Sequence, residues 1–337
     1  MDRFTRLLAG ADRATRILEI GPSHAPVAAR ADGWNTRIVD HGTAEDLRAK
    51  YRAIGVETAR IEEVDYIWHG GPLDGIVPQG SFDLLIASHV VEHIPDLAGF
   101  LKGLESVMAP TGQVSFAVPD KRYCFDVFKP LATTGDLLAA LGTSLHSKRS
   151  AWNHPAYSVT YDGVIAWGQH PVNEARFIHD FGDAQKSLAA WTEDGPYQDY
   201  HAWQFTPSSF ALIILELGAA GYIDWHIAEL TGAEGCEFFV LLRRGAEQLA
   251  PPELAARRMT LLRQAQREIA DGLTFQGLAP AASTAPITGR GSADTRLAAL
   301  ENAMALQNAR LLLLLQTPAW VRGLAAILRR VAALLRR

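Results

Sequence analysis

Cysteine is nearly absent: the 337 residues hold only Cys124 and Cys236, far apart in the chain. That excludes a disulfide framework and a cysteine-rich zinc module, and it fits a reducing compartment. Long apolar runs are missing as well. The opening stretch MDRFTRLLAGADRATRILEIG carries an acid at position 2 and nothing long enough for a signal peptide or membrane span, so a cytoplasmic chain is expected. No repeat appears at the usual solenoid periods. Positive charge is scarce over most of the length. The net charge is −5, yet Thr317 to Arg337 hold five arginines and no acid, which leaves −10 on the rest. An acidic body of this kind excludes a nucleic-acid partner, because gripping phosphates needs clustered Lys and Arg. The remaining composition, 48% hydrophobic and 20% charged, is that of a soluble globular chain.

What is present is a rhythm of short apolar runs. RILEIG (16–21), NTRIVD (35–40), IEEVDYIW (61–68), FDLLIAS (82–88) and QVSFAVPD (113–120) read as strands. DLAGFLKGLESVMA (96–109) has helical spacing, with Asp96 as its N-cap and PTG as its stop. Strands alternating with helices predict right-handed crossovers and an α/β fold with a mainly parallel sheet. Residues 121–200 show little periodicity and, counted to Trp203, hold four of the eight tryptophans. A helix at 206–221 and two closing strands, YIDWHIAEL and CEFFVLLRR, resume the pattern as a terminal β-hairpin. A stretch as long as 121–200 is expected to carry structure or function of its own.

HVVEH (89–93) has the H-x-x-E-H form of an inverted zinc-protease motif. Such a site needs both histidines on one helix, converging on the metal. Here the five residues directly follow an apolar strand, and Pro95 comes two residues after His93. No zinc site is therefore expected. His146, His154, His170 and His179 are also too irregularly spaced to suggest one. Position gives the other reading, because ligands of open α/β sheets bind beyond the carboxyl ends of the strands. Gly21 lets the chain turn tightly there. Asp40 ends the second strand roughly 20 residues further on, where a carboxylate can accept from ribose hydroxyls. Ser88, His89 and His93 end the fourth.

The segments ILEIGPS, TRIVDH, IEEVDYIWHGG, FDLLIASHVVEHIPDL and MAPTGQVSFAVPDKRYCFD, with the late strand pair, resemble a class I S-adenosylmethionine-dependent methyltransferase over roughly residues 14–245. AVPDKRYCFD resembles, more narrowly, methyltransferase-domain proteins associated with bacterial surface glycan assembly. The resemblance implies a Rossmann-like fold. It implies S-adenosylmethionine as cofactor and cofactor contacts at Glu19, Gly21, Ser23, Asp40, Asp65, Ser88 and His89. The sequence departs from the family at the glycine-rich loop, where EIGPSHAP keeps only Gly21. That departure keeps a non-catalytic scaffold open as an alternative, beside another nucleotide-dependent Rossmann enzyme.

Methyl transfer to a hydroxyl needs a general base, and His titrates in the right range. His93, His89 and His201 are the candidates. Asp120, Lys121, Arg122 and Tyr123 follow the fifth strand and could bind a polar or anionic acceptor. The expected acceptor is a saccharide or glycan-linked small molecule. The expected organization is a cofactor domain (1–120 and 201–245), a substrate-binding insertion after strand 5 (121–200), a helix and low-complexity linker (246–292) and a helical C-terminal tail (293–337). Leu297, Leu300, Met304, Leu311 and Leu314 approximate a short heptad seam suited to homo-oligomerization through 295–315. In 318–337, Trp320, Leu324, Ile327 and Leu328 fall on one helical face and Arg322, Arg329 and Arg336 on another. This pattern suits an anionic membrane surface, here the inner face, with a partner helix as the alternative.

Overall fold

The structure, a computed structural model, describes residues 1–168 and 174–275. The expectations for the linker at 278–294, the seam at 295–315, the tail at 318–337 and His170 lie outside them. A short helix α1 (Arg3–Leu8) leads into β1 (Ile17–Ile20), then β2 (Thr36–Asp40), α2 (Ala44–Ala53), β3 (Tyr66–Ile67), β4 (Phe82–Ser88), α3 (Leu97–Val107) and β5 (Met108–Pro119). The segment that follows carries α4 (Thr134–Ala139), α5 (Lys148–Tyr157), β6 (Val159–Tyr161), β7 (Ala175–Phe177) and α6 (Phe181–Ala190). Last come α7 (Pro207–Ala219), β8 (Trp225–Leu230), β9 (Glu237–Arg244) and α8 (Pro251–Phe275).

The sheet runs β3-β2-β1-β4-β5-β9-β8. Its first five strands are parallel, and β9 turns antiparallel against both β5 and β8. This is the expected mainly parallel sheet with a closing hairpin. Alternation explains its two dry faces. Leu18, Ile20, Leu85, Ala87, Val114 and Phe116 pack with Leu97, Leu101 and Leu104 of α3 and Phe210, Ile214 and Leu217 of α7. Ile17, Leu84, Ile86 and Ala117 face the other way, onto Leu7, Val27 and Ala28.

Caps fix where the helices begin. Asp96 accepts from the Gly99 amide at 2.7 Å, as expected of an N-cap. At α7 the Ser209 hydroxyl accepts from the Thr206 amide at 2.9 Å, and Pro207 is the first helical residue. Three details differ from the sequence reading. PTG does not end α3 in a free turn, because β5 starts at Met108 and the extra residues bulge. Phe82 pairs with Met108 but Leu84 with Gln113. The third strand shrinks to Tyr66–Ile67, since Glu62 bonds the Arg30 and Ala31 amides and so belongs to the neighbouring turn. Between β1 and β2 the crossover is irregular chain with one 3-10 turn, Arg30–Asp32, in place of a helix. Among the described residues no helix is long and apolar enough to cross a membrane.

Candidate active site

A cavity of about 840 Å³ opens at the carboxyl edge of the parallel strands. Small-molecule sites span about 300–1,000 Å³, so it has room for a nucleoside-sized cofactor and an acceptor together. Its wall combines strand ends (Gly21, Asp40, His89, His93) with residues of the 121–200 insertion (Gly142, Ser144, Tyr197, Asp199).

The turn after β1 is built by three residues. Gly21 takes φ +64°, and a Cβ there would come within 2.9 Å of Val90 Cγ2, so only glycine fits without a shift. Ser23 also has positive φ (50°) and donates its amide to Asp40 Oδ2 at 3.1 Å. Glu19 is 2% exposed and accepts from the Val27 and Ala28 amides at 2.7 and 3.0 Å. It does not line the cavity, and it shapes the loop from behind. Burial pushes its pKa up to about 7, against the pull of the two amides. Asp40 does line the cavity. Its Oδ1 accepts from the His41 amide at 2.8 Å and lies 2.7 Å from His41 Nδ1, and Oδ2 keeps a lone pair for a further donor.

Two expected cofactor contacts lie elsewhere. Asp65 accepts from the Ile38 amide at 2.8 Å and pairs with Arg30 and Arg37, so it is tied up beneath β2. Of that neighbourhood Trp68 and His69 are the residues on the cavity wall. Ser88 takes a hydrogen bond from Arg3, which also grips Glu237 at 2.7 Å. His89 reaches the cavity with φ +54°, and its Nε2 lies 2.8 Å from Glu237 Oε2.

The expected acceptor-binding run also has another task. Asp120 is fully buried and takes two bonds from the Arg122 guanidinium, at 2.8 and 2.6 Å. Arg122 bonds onward to the Glu268 carbonyl of α8. Lys121 donates to the Val127 carbonyl at 2.6 Å, and Tyr123 packs with Val127, Val159 and Trp167. None of the four lines the cavity. They anchor the insertion and α8 to the end of β5.

Sequence reasoning missed the residues that close the site. Asp199 Oδ1 lies 3.0 Å from His93 Nδ1, off the ideal hydrogen-bond line, and Asp199 Oδ2 lies 3.6 Å from Lys50 Nζ. Lys50 in turn sits 3.4 Å from His41 Nε2, and His41 Nδ1 is 2.7 Å from Asp40. One polar chain thus runs Asp40–His41–Lys50–Asp199–His93 along the cavity. The contact with His93 holds Asp199 well below the usual carboxylate range. Burial works against a charge on His93, but Asp199 and the nearby Glu92 and Asp126 outweigh it and raise its pKa. His201 stands edge-on to His93, with ring centroids 4.4 Å apart, and its Nδ1 is 2.5 Å from Asp126. Of the three candidate bases, His93 and His89 therefore reach the cavity, and His201 stands behind His93. No periodicity marks Lys50 or Asp199, and only the fold brings them together.

The cavity fits a cofactor with a ribose and an amino-acid arm: a glycine turn that a Cβ would fill, a carboxylate beside it, and a tryptophan on the wall. Among solved structures, a methyltransferase from Methanosarcina mazei is 12% identical, with 73% of this chain and 100% of that one aligned and a TM-score of 0.38. One from Mesorhizobium loti is 14% identical over 71% and 95%, with a TM-score of 0.36. The mitomycin 7-O-methyltransferase is 15% identical at a TM-score of 0.32, and 72% of this chain spans only 53% of its length. No protein of curated function matches the sequence. A family model described as a methyltransferase domain matches residues 1–213. The chain belongs to that family, the class I S-adenosylmethionine-dependent methyltransferases, and S-adenosylmethionine is its cofactor.

Proposed function

We propose that the enzyme methylates a hydroxyl of a small polar acceptor, a saccharide or glycan-linked molecule, held between the strand ends and the insertion. One observation carries this reading: a single cavity joins the Gly21–Asp40 turn to the His93–Asp199 pair. The cofactor supplies an electrophilic methyl on a sulfonium. The chain's own residues do the rest. Gly21 and Ser23 shape the loop, Asp40 accepts from ribose, and Trp68 offers a flat face to the adenine. Ser144, Tyr197 and Asp199 present polar atoms to the acceptor, as a saccharide requires. The hydroxyl proton passes toward the buried cluster around His93, where the carboxylates favour the protonated ring. Orientation contributes most, since an in-line displacement asks for placement more than for covalent help.

The reading is tested by incubating the protein with S-adenosylmethionine and a panel of saccharide alcohols, amines and thiols. Transfer to hydroxyls, lost in His93→Ala, is expected. Transfer to amines alone would remove the hydroxyl assignment. The Arg-bearing segment 318–337 supports, from its sequence alone, docking on an anionic membrane surface. Deleting 318–337 should abolish binding to vesicles containing phosphatidylserine, and unchanged binding would remove that idea.

A further inference from the structure

The half of HVVEH that converges is not the pair of histidines. His89 is held by Glu237, away from His93. Glu92 and His93 instead meet His201, which arrives from the far end of the insertion. Glu92 is 1% exposed, and among the described residues neither of its carboxyl oxygens has a hydrogen-bond partner. Leaving such a group unsatisfied is costly, so it asks for an explanation. Two imidazole nitrogens approach it without bonding: His93 Nε2 at 3.7 Å and His201 Nε2 at 3.8 Å from Glu92 Oε1. These gaps are too long for hydrogen bonds. One ligand atom from each of the three residues lies within 4.8 Å of the others. Metal–ligand bonds of about 2.1 Å place tetrahedral neighbours roughly 3.4 Å apart, so each imidazole need close on Glu92 by only a few tenths of an ångström around an ion.

The second nitrogen of each ring strengthens the case. His201 Nδ1 faces Asp126 at 2.5 Å, and Asp126 is itself held by Lys129 at 2.5 Å. His93 Nδ1 faces Asp199 at 3.0 Å. The hydrogen bond to Asp126 puts the proton on His201 Nδ1 and leaves its Nε2 lone pair free for a metal, and Asp199, near His93 Nδ1 but off the hydrogen-bond line, favours the same tautomer there. We propose that Glu92, His93 and His201 bind a divalent transition-metal ion at the inner wall of the methyl-transfer cavity. Two histidines and one carboxylate leave coordination positions open. His93 lines the cavity, so the open side faces the acceptor.

The use of the ion rests on the methyl-transfer reading; its binding does not. With the ion bound, His93 is a neutral ligand and no longer the proton acceptor; the coordinated acceptor hydroxyl is more acidic and loses its proton to water. The new bond joins that oxygen to the methyl carbon. The bond that breaks is methyl to sulfur, and its electron pair stays on sulfur, giving neutral S-adenosylhomocysteine. The ion is neither oxidized nor reduced.

The test uses untagged full-length protein, stripped with chelator and dialysed separately against Zn²⁺ and Mn²⁺, with metal counted by mass spectrometry. One ion per chain is expected with at least one of the two metals. Glu92→Gln and His201→Gln should each weaken binding more than about 100-fold, and Asp126→Asn, acting through His201, by about 10–100-fold. Surface His226→Ala should leave binding unchanged. Circular dichroism on each variant separates lost binding from lost fold. His93→Gln, on the cavity wall, serves as the second ligand variant if His201→Gln unfolds. S-adenosylhomocysteine binding is measured on the same samples. Stoichiometric metal without cofactor binding would support the site and overturn its catalytic use. Cofactor binding without metal, or metal bound equally by Glu92→Gln, would overturn the site.

Discussion

Gly21 is the residue on which the cofactor loop turns. Its left-handed φ of +64° and the 2.9 Å approach of Val90 leave no room for a side chain. Gly21→Ala should cost about 1–2 kcal/mol for the backbone alone and more for the contact. Cofactor affinity should fall further than the melting temperature implies; an unchanged dissociation constant would show that the loop tolerates Ala. Glu19 makes a different prediction. Its folded pKa of about 7 stands above its ordinary 4.5. Between those values the folded chain keeps a proton that the unfolded chain has released. The contribution to stability is therefore full below about pH 4.5 and is lost as pH rises through about 7. Glu19→Gln has no proton to lose, so its melting temperature should fall less than that of the wild type across this range. Parallel curves would contradict the assignment. At this scale the sequence was partly legible. Gly21 and Asp40 stood at strand ends and do line the cavity. Glu19, Asp65 and Ser88 stood at similar ends, but their side chains found backbone amides or arginines that no local pattern announces.

At the scale of elements, the parallel strands, the capped α3 and the β8–β9 hairpin were readable because their periodicity and caps are local. The insertion was not. Its helices α4, α5 and α6 are short, and α5 contains Pro155, so no apolar stripe develops. The run 120–123 looked like a ligand-binding loop because charged residues followed a strand. Those residues instead tie the insertion to α8. Gly272 of α8 lies so close that a Cβ there would come within 3.1 Å of the Arg122 side chain. Arg122→Ala should therefore destabilize the fold by about 3–5 kcal/mol, by stranding the buried Asp120. The acceptor KM measured on the folded fraction should not change. A large rise in KM with an unchanged melting temperature would restore the substrate-binding role.

For the molecule as a whole, the cavity is made by two distant segments meeting. His93 ends a strand, while Asp199 and His201 return from the insertion, and the polar chain from Asp40 to His93 exists only once they meet. Sequence alone offered the histidines separately and could not reveal that His201 stands behind His93. It gave Glu92 no role, although Glu92 lies inside HVVEH. The central claim is that this cavity is the cofactor site despite its single loop glycine. Calorimetric titration with S-adenosylhomocysteine tests it most directly, with Asp40→Ala as the control. One site per chain is expected, with binding weakened at least about tenfold in the variant, the loss of about 1.4 kcal/mol. No binding to folded wild-type protein, or equal binding by Asp40→Ala, would contradict it.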